Sequence, residues 1–132
     1  MNPNGIALGR AFTREPDATI AAEILPITDS FEVVVEAKAG STIHGYGAMF
    51  FTSIVIRDLT ANGRITTVPA TGFEGSMHSH AWPNENHQFV YTVPAANLVG
   101  RQDHVCQILT CLRVGLANPD VAFTISPFFI LI

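Results

Sequence analysis

Apolar residues recur at every second position along much of this chain, and in several stretches they occupy both parities. Phe31, Val33, Val35 and Ala37 alternate with Glu32, Glu36 and Lys38, which predicts a strand with one face in a core and the other in water. From Tyr46 to Thr60, Phe50, Ile54 and Ile56 oppose Met49, Phe51 and Val55, so both sides of that strand want cover and it is expected to be central. Phe89, Tyr91 and Val93 share one face of a further strand. Between Asp103 and Val114, Cys106, Ile108, Leu112 and Val114 lie on one face and Val105, Leu109 and Cys111 on the other. Gly5 to Phe12 reads as an edge strand. Val121 to Ile125 and Phe128 to Ile132 read as a final strand interrupted by Pro127, which has no amide hydrogen to give to a ladder and so sits at an edge or a bulge. In that last strand Phe128 and Ile130 are expected to enter the core while Phe129 and Leu131 point outward.

Turn chemistry separates these runs. Asn62-Gly63 supplies the positive φ values of a two-residue type I′ hairpin, with Arg64 to Val68 as the return strand. Residues 16–25 admit two readings, a short helix capped by Asp17 or a second edge strand ending at Pro26. Pro94 to Leu98 reads as one helical turn, and Gly100 resets the chain. The stretch 69–88 has no strand pattern, and a loop of that length in a compact domain is a place to look for function. Seven to eight short strands with regular turn signals predict an all-β fold, an antiparallel β-sandwich, as a single domain over residues 1–132.

The last third of the chain carries a resemblance. A strand closing in Thr92-Val93-Pro94, a helical turn, a long strand, a turn and a terminal strand ending Ser126-Pro127-Phe128-Phe129-Ile130 resemble immunoglobulin-like and fibronectin-III-like modules. The resemblance implies an immunoglobulin-like sandwich. It departs from antibody-type domains in having neither their paired cysteines nor their core tryptophan, since Trp82 falls in the loop, so it implies no particular ligand.

Composition changes the picture in one respect. Only 14% of residues are charged against 48% hydrophobic, well below the usual charged share of about 25% for a soluble domain. Part of the apolar excess is therefore expected to meet another subunit or a ligand, making a homo-oligomer the expected state. A net charge of −4, with Lys38 the one lysine, gives no basic stripe for nucleic acid. No run approaches the ~20 apolar residues that span a bilayer, and the first residues lack a secretory pattern. Cys106 and Cys111 sit on opposite faces of one strand, ~16 Å apart, too far for a disulfide. Two reduced cysteines fit a cytoplasmic setting.

The candidate chemistry lies mostly in the 69–88 loop. His78 and His80 project to one side of an extended segment and His87 can close on them, a set of three imidazoles that suits zinc with an open fourth position for water. The bland alternative is solvated loop histidines. Trp82, followed by Asn84, Glu85 and Asn86, offers an aromatic platform beside amide and carboxylate groups, the pattern of carbohydrate or peptide recognition; its alternative is a lid over one end of the sandwich. Asp58, Glu74, Glu85, Asp103 and His104 are the available acids and bases. His104 and Cys106 share a strand face, yet Cys106 among Ile108 and Leu112 reads as an apolar filler. Gly45-Tyr46-Gly47 and Gly72-Phe73-Glu74-Gly75 read as bends. The expected function is a non-catalytic binding or assembly module that self-associates and presents the 69–88 loop to a protein or carbohydrate ligand. The rivals are a carbohydrate- or small-ligand-binding protein using Trp82 and a metal-dependent enzyme using the loop histidines.

Overall fold

A computed structural model describes residues 5–68, 73–80, 82–115 and 120–132. The protein is all-β. Its strands are β1 (Ile6–Arg14), β2 (Ile24–Leu25), β3 (Phe31–Ala39), β4 (Met49–Asp58), β5 (Gly63–Val68), β6 (Phe73–Ser76), β7 (Asn86–Val93), β8 (Val105–Val114), β9 (Asp120–Ile125) and β10 (Phe129–Leu131). One short helix, α1 (Ser41–Gly45), and a 3₁₀ turn (Ala95–Leu98) complete the regular structure among the described residues. The strands form a three-stranded sheet in the order β1-β3-β7 and a seven-stranded sheet in the order β2-β10-β8-β4-β5, with β6 also on β4 and β9 also on β8. Among the described residues all pairings are antiparallel except β10 with β2.

Val33, Val35, Phe89 and Val93 of the smaller sheet pack in one buried cluster with Phe50, Ile54, Ile56, Ile108 and Leu112 of the larger. Aromatic contacts bridge the sheets. Phe50 meets Phe89 at 5.9 Å and Phe31 meets Phe129 at 5.5 Å between ring centroids. At one seam the sheets are also joined through β1 and β9, where Thr124 Oγ1 donates to the Gly9 carbonyl at 3.1 Å and the Ile6 amide donates to Asp120 Oδ2 at 3.0 Å.

The ten strands among the described residues exceed the seven or eight read from the sequence because short pairings escape patterning. β2 has two residues, β6 has four and lies inside the stretch read as loop, and Pro127 divides the terminal run into β9 and β10. Residues 69–72 and 81 of the expected loop, and 116–119 of the expected turn, lie outside the described residues.

Three local expectations are corrected. The β4–β5 hairpin is closed by residues 59–62 instead of a two-residue turn. Asp58 pairs with Gly63, and the left-handed conformation falls on Asn62 alone (φ 53°) while Gly63 is already in the strand. The reason is Asp58, whose Oδ1 accepts the Ala61 amide at 3.0 Å and holds a wider turn. Asp17 caps no helix; it has φ 60°, and its amide donates to Glu32 Oε1 at 2.8 Å. The phase of the C-terminal strand is reversed. Phe129 and Leu131 are buried while Phe128, Ile130 and Ile132 are exposed, since Phe129 is in register with buried Cys106. No described helix is long and apolar enough to cross a membrane.

Candidate functional site

Four of the five histidines gather at one end of the molecule, around Trp82. The local fold brings them there through two glycines with positive φ. A Cβ on Gly47 (φ 63°) would lie 2.6 Å from His78 Nδ1, and one on Gly75 (φ 106°) would lie 3.0 Å from His80 Cε1. Those side chains rest on the space a Cβ would fill. Met77, fully buried, anchors the turn, accepting the Trp82 amide at 3.2 Å and giving its own amide to the Ala48 carbonyl at 3.0 Å.

Trp82, for which the sequence admits either an open stacking platform or a lid over one end of the fold, is 4% exposed. Its ring stacks on His87 at 4.8 Å and meets Phe50 and Phe89 edge-on at 5.6 and 5.9 Å, because three aromatic neighbours bury more of the indole than water contact would. It covers one end of the core. Its Nε1 has no hydrogen-bond partner. Asn84 and Asn86 stay exposed and Glu85 half-buried; Asn84 Oδ1 accepts the Asn86 amide at 2.8 Å, and the Glu85 carbonyl accepts the Ala39 amide at 2.8 Å.

The histidines read as zinc ligands make separate contacts. His78 Nε2 donates to the His44 carbonyl at 2.9 Å, His80 Nδ1 donates to the Ser76 carbonyl at 3.1 Å, and His87 lies between Trp82 and Phe89. His44 Nε2 donates to the Trp82 carbonyl at 3.2 Å. Carbonyls only accept, so each of these bonds fixes which nitrogen carries the hydrogen. Burial first, and then the neighbouring His80, hold the His87 imidazole below its ordinary pKa. Among the described residues no group of three or more His, Cys, Asp or Glu side chains lies together as a metal site would require. Beside His87 a cleft of about 340 Å³ is lined by Glu36, Pro83, Asn86 and Gln88.

A second cluster unites residues that sequence reading left apart. Asp58, at the end of β4, has no exposed side-chain surface. Its Oδ2 accepts from Arg101 Nη1 at 2.7 Å and from His104 Nδ1 at 2.6 Å. Burial alone would push this carboxyl up. The hydrogen bonds from His104, the Ala61 amide and Arg101, with the charge of His104, outweigh that and hold it below the usual carboxylate value. Arg101 also donates to the carbonyls of Asn97 and Arg64, so the group ties the β4–β5 turn to the loop entering β8. With its ring turned to Asp58, His104 approaches Cys106 only through its carbonyl, 4.0 Å from the thiol. The Cys106 thiol is pushed up to about 12, by burial first and then by Asp58, so it is protonated near neutral pH and lacks the thiolate that nucleophilic chemistry needs. The signal for this cluster lay in parity, because Asp58 falls on the buried side of β4 with Phe50, Ile54 and Ile56.

The third feature is the outer face of the seven-stranded sheet. Register places Val55 beside Leu109 and Leu109 beside Ile125; Ser53 lies beside Cys111 and Cys111 beside Phe123. These side chains line a groove of about 390 Å³. Phe123 is 74% and Ile125 61% exposed. At one end Arg113 stacks over Phe51 at 4.2 Å. Toward the other, Ile130 and Ile24 continue the exposed apolar surface in register with Val105.

No protein-family model matches this chain, and no curated protein matches it. Among solved structures it is similar to a bacterial adhesin from Mobiluncus mulieris containing intramolecular disulfide, isopeptide and ester bond cross-links. The identity is 11% and the TM-score 0.44, covering 93% of this chain and 49% of that one. This chain thus spans about half the length of that protein.

Proposed function

We propose that this protein is a non-catalytic assembly module, an immunoglobulin-like β-sandwich that pairs with a second copy of itself through the outer face of its larger sheet. The observation that carries the reading is the exposed stripe of Val121, Phe123 and Ile125, continued by Leu109, Cys111 and Val55 in register. A sheet face of this composition is stabilised by cover, at about 25 cal/mol for each Å² of apolar surface withdrawn from water. β8 has ten residues and is flanked by β4 on one side and β9 and β10 on the other. Three to four strand columns of that length present roughly 600 Å², approaching the ~800 Å² that each partner gives to a standard interface. A second copy supplies the same apolar face. The sandwich reading is supported by the cluster common to the two sheets. The experiment is sedimentation equilibrium of the natural chain beside Phe123→Asp; the natural chain associates and the variant does so at least about tenfold more weakly.

A second reading is favoured by the cleft beside His87, where Asn86, Gln88 and Glu36 offer donors and acceptors to a small polar ligand such as a sugar. Titration of oligosaccharides with amide chemical shifts as readout tests it, with movement of Asn86 and Gln88 expected. A silent titration removes it.

A further inference from the structure

We infer that Arg57 and Arg64 form a binding site for a tetrahedral oxyanion of the phosphate type, at the β4–β5 end of the outer face of the larger sheet. The observation is how the chain disposes of its arginines. Three of them meet carboxylates: Arg10 with Glu36, Arg14 with Glu32 and Arg101 with buried Asp58. The other three, Arg57, Arg64 and Arg113, make no ion pair among the described residues, although the chain holds 11 Asp and Glu residues. All three lie on one face. Arg57 has the strand parity of Val55, Arg113 that of Leu109 and Cys111, and Arg64 is in register with Arg57. A chain of net charge −4 thus presents an apolar face whose charged side chains, among the described residues, are all cations.

The site is where two of these cations adjoin. Arg57 and Arg64 are cross-strand partners, which sets their Cβ atoms roughly 5 Å apart on the same side of the sheet, where like charges repel. Arg57 Nη2 donates to Asn62 Oδ1 at 3.3 Å, which holds the guanidinium beside the turn. Its Nε is buried and has no acceptor, so the fold has taken a donor from water and given it nothing in return. Arg64 is exposed, and among the described residues its side chain has no hydrogen-bond partner. Its carbonyl accepts from Arg101 Nη2 at 3.4 Å, a guanidinium that Asp58 already neutralises. Each guanidinium is a planar fork that grips two oxygens of one anion. Two forks carrying two positive charges match a doubly charged tetrahedral oxyanion. A lone carboxylate would occupy one fork and leave the second cation unmatched.

Occupation of the site bears on the pairing of copies, a coupling that rests on the assembly proposed above. Arg57 and Arg64 mark one end of the outer face, and Arg113, stacked over Phe51, marks the other. A two-fold axis between two such faces brings together either like ends or opposite ends. In both arrangements the ends that meet carry arginine. An oxyanion held by Arg57 and Arg64 offsets that repulsion, so phosphate should tighten association more than chloride of equal ionic strength.

The test is a titration of the intact chain with inorganic phosphate against sodium chloride at equal ionic strength, read by amide and arginine Nε–Hε chemical shifts. Saturable shifts are expected at Arg57, Asn62 and Arg64. Affinity should fall at least about tenfold in Arg57→Gln and in Arg64→Gln and stay unchanged in Arg113→Gln, with amide spectra away from the turn reporting that each variant keeps the fold. Shifts that never saturate, that persist in both Arg57→Gln and Arg64→Gln, or that weaken equally in Arg113→Gln overturn the site, since they report general screening or an ion elsewhere. Sedimentation equilibrium in the two salts reads the coupling. Localised, saturable shifts in a chain that stays monomeric in both salts leave the site standing and remove the pairing; association without localised shifts leaves the pairing standing and removes the site.

Discussion

Oδ2 of Asp58 lies 2.6 Å from Nδ1 of His104, in a contact that joins the end of β4 to the start of β8 across 46 residues of sequence. A carboxylate only accepts, so His104 donates through Nδ1 and its tautomer is set by this bond. Removing Asp58 leaves Arg101 and His104 without their acceptor. Asp58→Ala should cost about 3 kcal/mol, the low end for a broken buried ion pair, because Arg101 and His104 keep 24% and 23% of their side-chain surface in water. The folded-state pKa of Asp58 lies below its ordinary 3.8. Its contribution to stability is therefore fully present above that value and is lost as pH falls through the lower folded one. Chemical denaturation across acid pH should show natural stability dropping below pH 3.8, with Asp58→Ala lacking that portion of the drop. Parallel curves for the two proteins would contradict this role.

The hairpin makes an opposite pair of predictions. Asn62 holds the left-handed conformation and its Oδ1 accepts from Arg57 Nη2 at 3.3 Å, while Gly63 lies in β5 with no atom within 4 Å of where a Cβ would sit. Asn62→Val should destabilise by about 1–2 kcal/mol. Gly63→Val should stay within about 0.5 kcal/mol of the natural chain. Thermal melts that rank the two the other way would restore the two-residue turn.

Two buried hydroxyls lack partners. Thr52 and Thr110 lie on the core sides of β4 and β8, and the Oγ1 of each is buried without a hydrogen bond. A valine has nearly the same shape without a polar group to desolvate, so Thr52→Val and Thr110→Val should each stabilise by about 1 kcal/mol. A measured loss of stability would mean that each hydroxyl has a partner in solution, such as a bridging water.

Trp82→Ala should cost about 3–5 kcal/mol, as large core truncations do. In the natural protein Trp82 emission should be blue-shifted and weakly quenched by iodide. A red-shifted, readily quenched tryptophan would favour the open platform over the lid.

The contrast between these residues shows which information the sequence carried. Strand parity was legible in part: the alternation through β3 named its buried side, while in β4 and β8 the two faces were sorted but both were expected to need cover, and the burial of Asp58 on β4 was not read. Phase was not legible where every residue is apolar. Phe128 to Ile132 fits the core equally well in either phase, and only the pairing of Phe129 with Cys106 decides. Trp82 has polar sequence neighbours, so its burial depends on Phe50 and Phe89, which reach it through separate strands. Likewise nothing local to Asp58 announces Arg101, 43 residues away. The gathering of His78, His80 and His87 was foreshadowed by the shared loop, but His44 joins them from α1, and their separate contacts follow from carbonyls and glycines that the spacing does not reveal.

Self-association through the larger sheet is tested most directly by sedimentation equilibrium from micromolar to near-millimolar concentration, run on the natural chain and on Phe123→Asp, whose side chain is 74% exposed and so is not needed for folding. The expected result is a concentration-dependent rise in mass for the natural chain and an association at least about tenfold weaker for the variant, with matching thermal melts at dilution. A natural chain that sediments as a monomer at every concentration, or a variant that associates as strongly as the natural chain, would contradict assembly through this face.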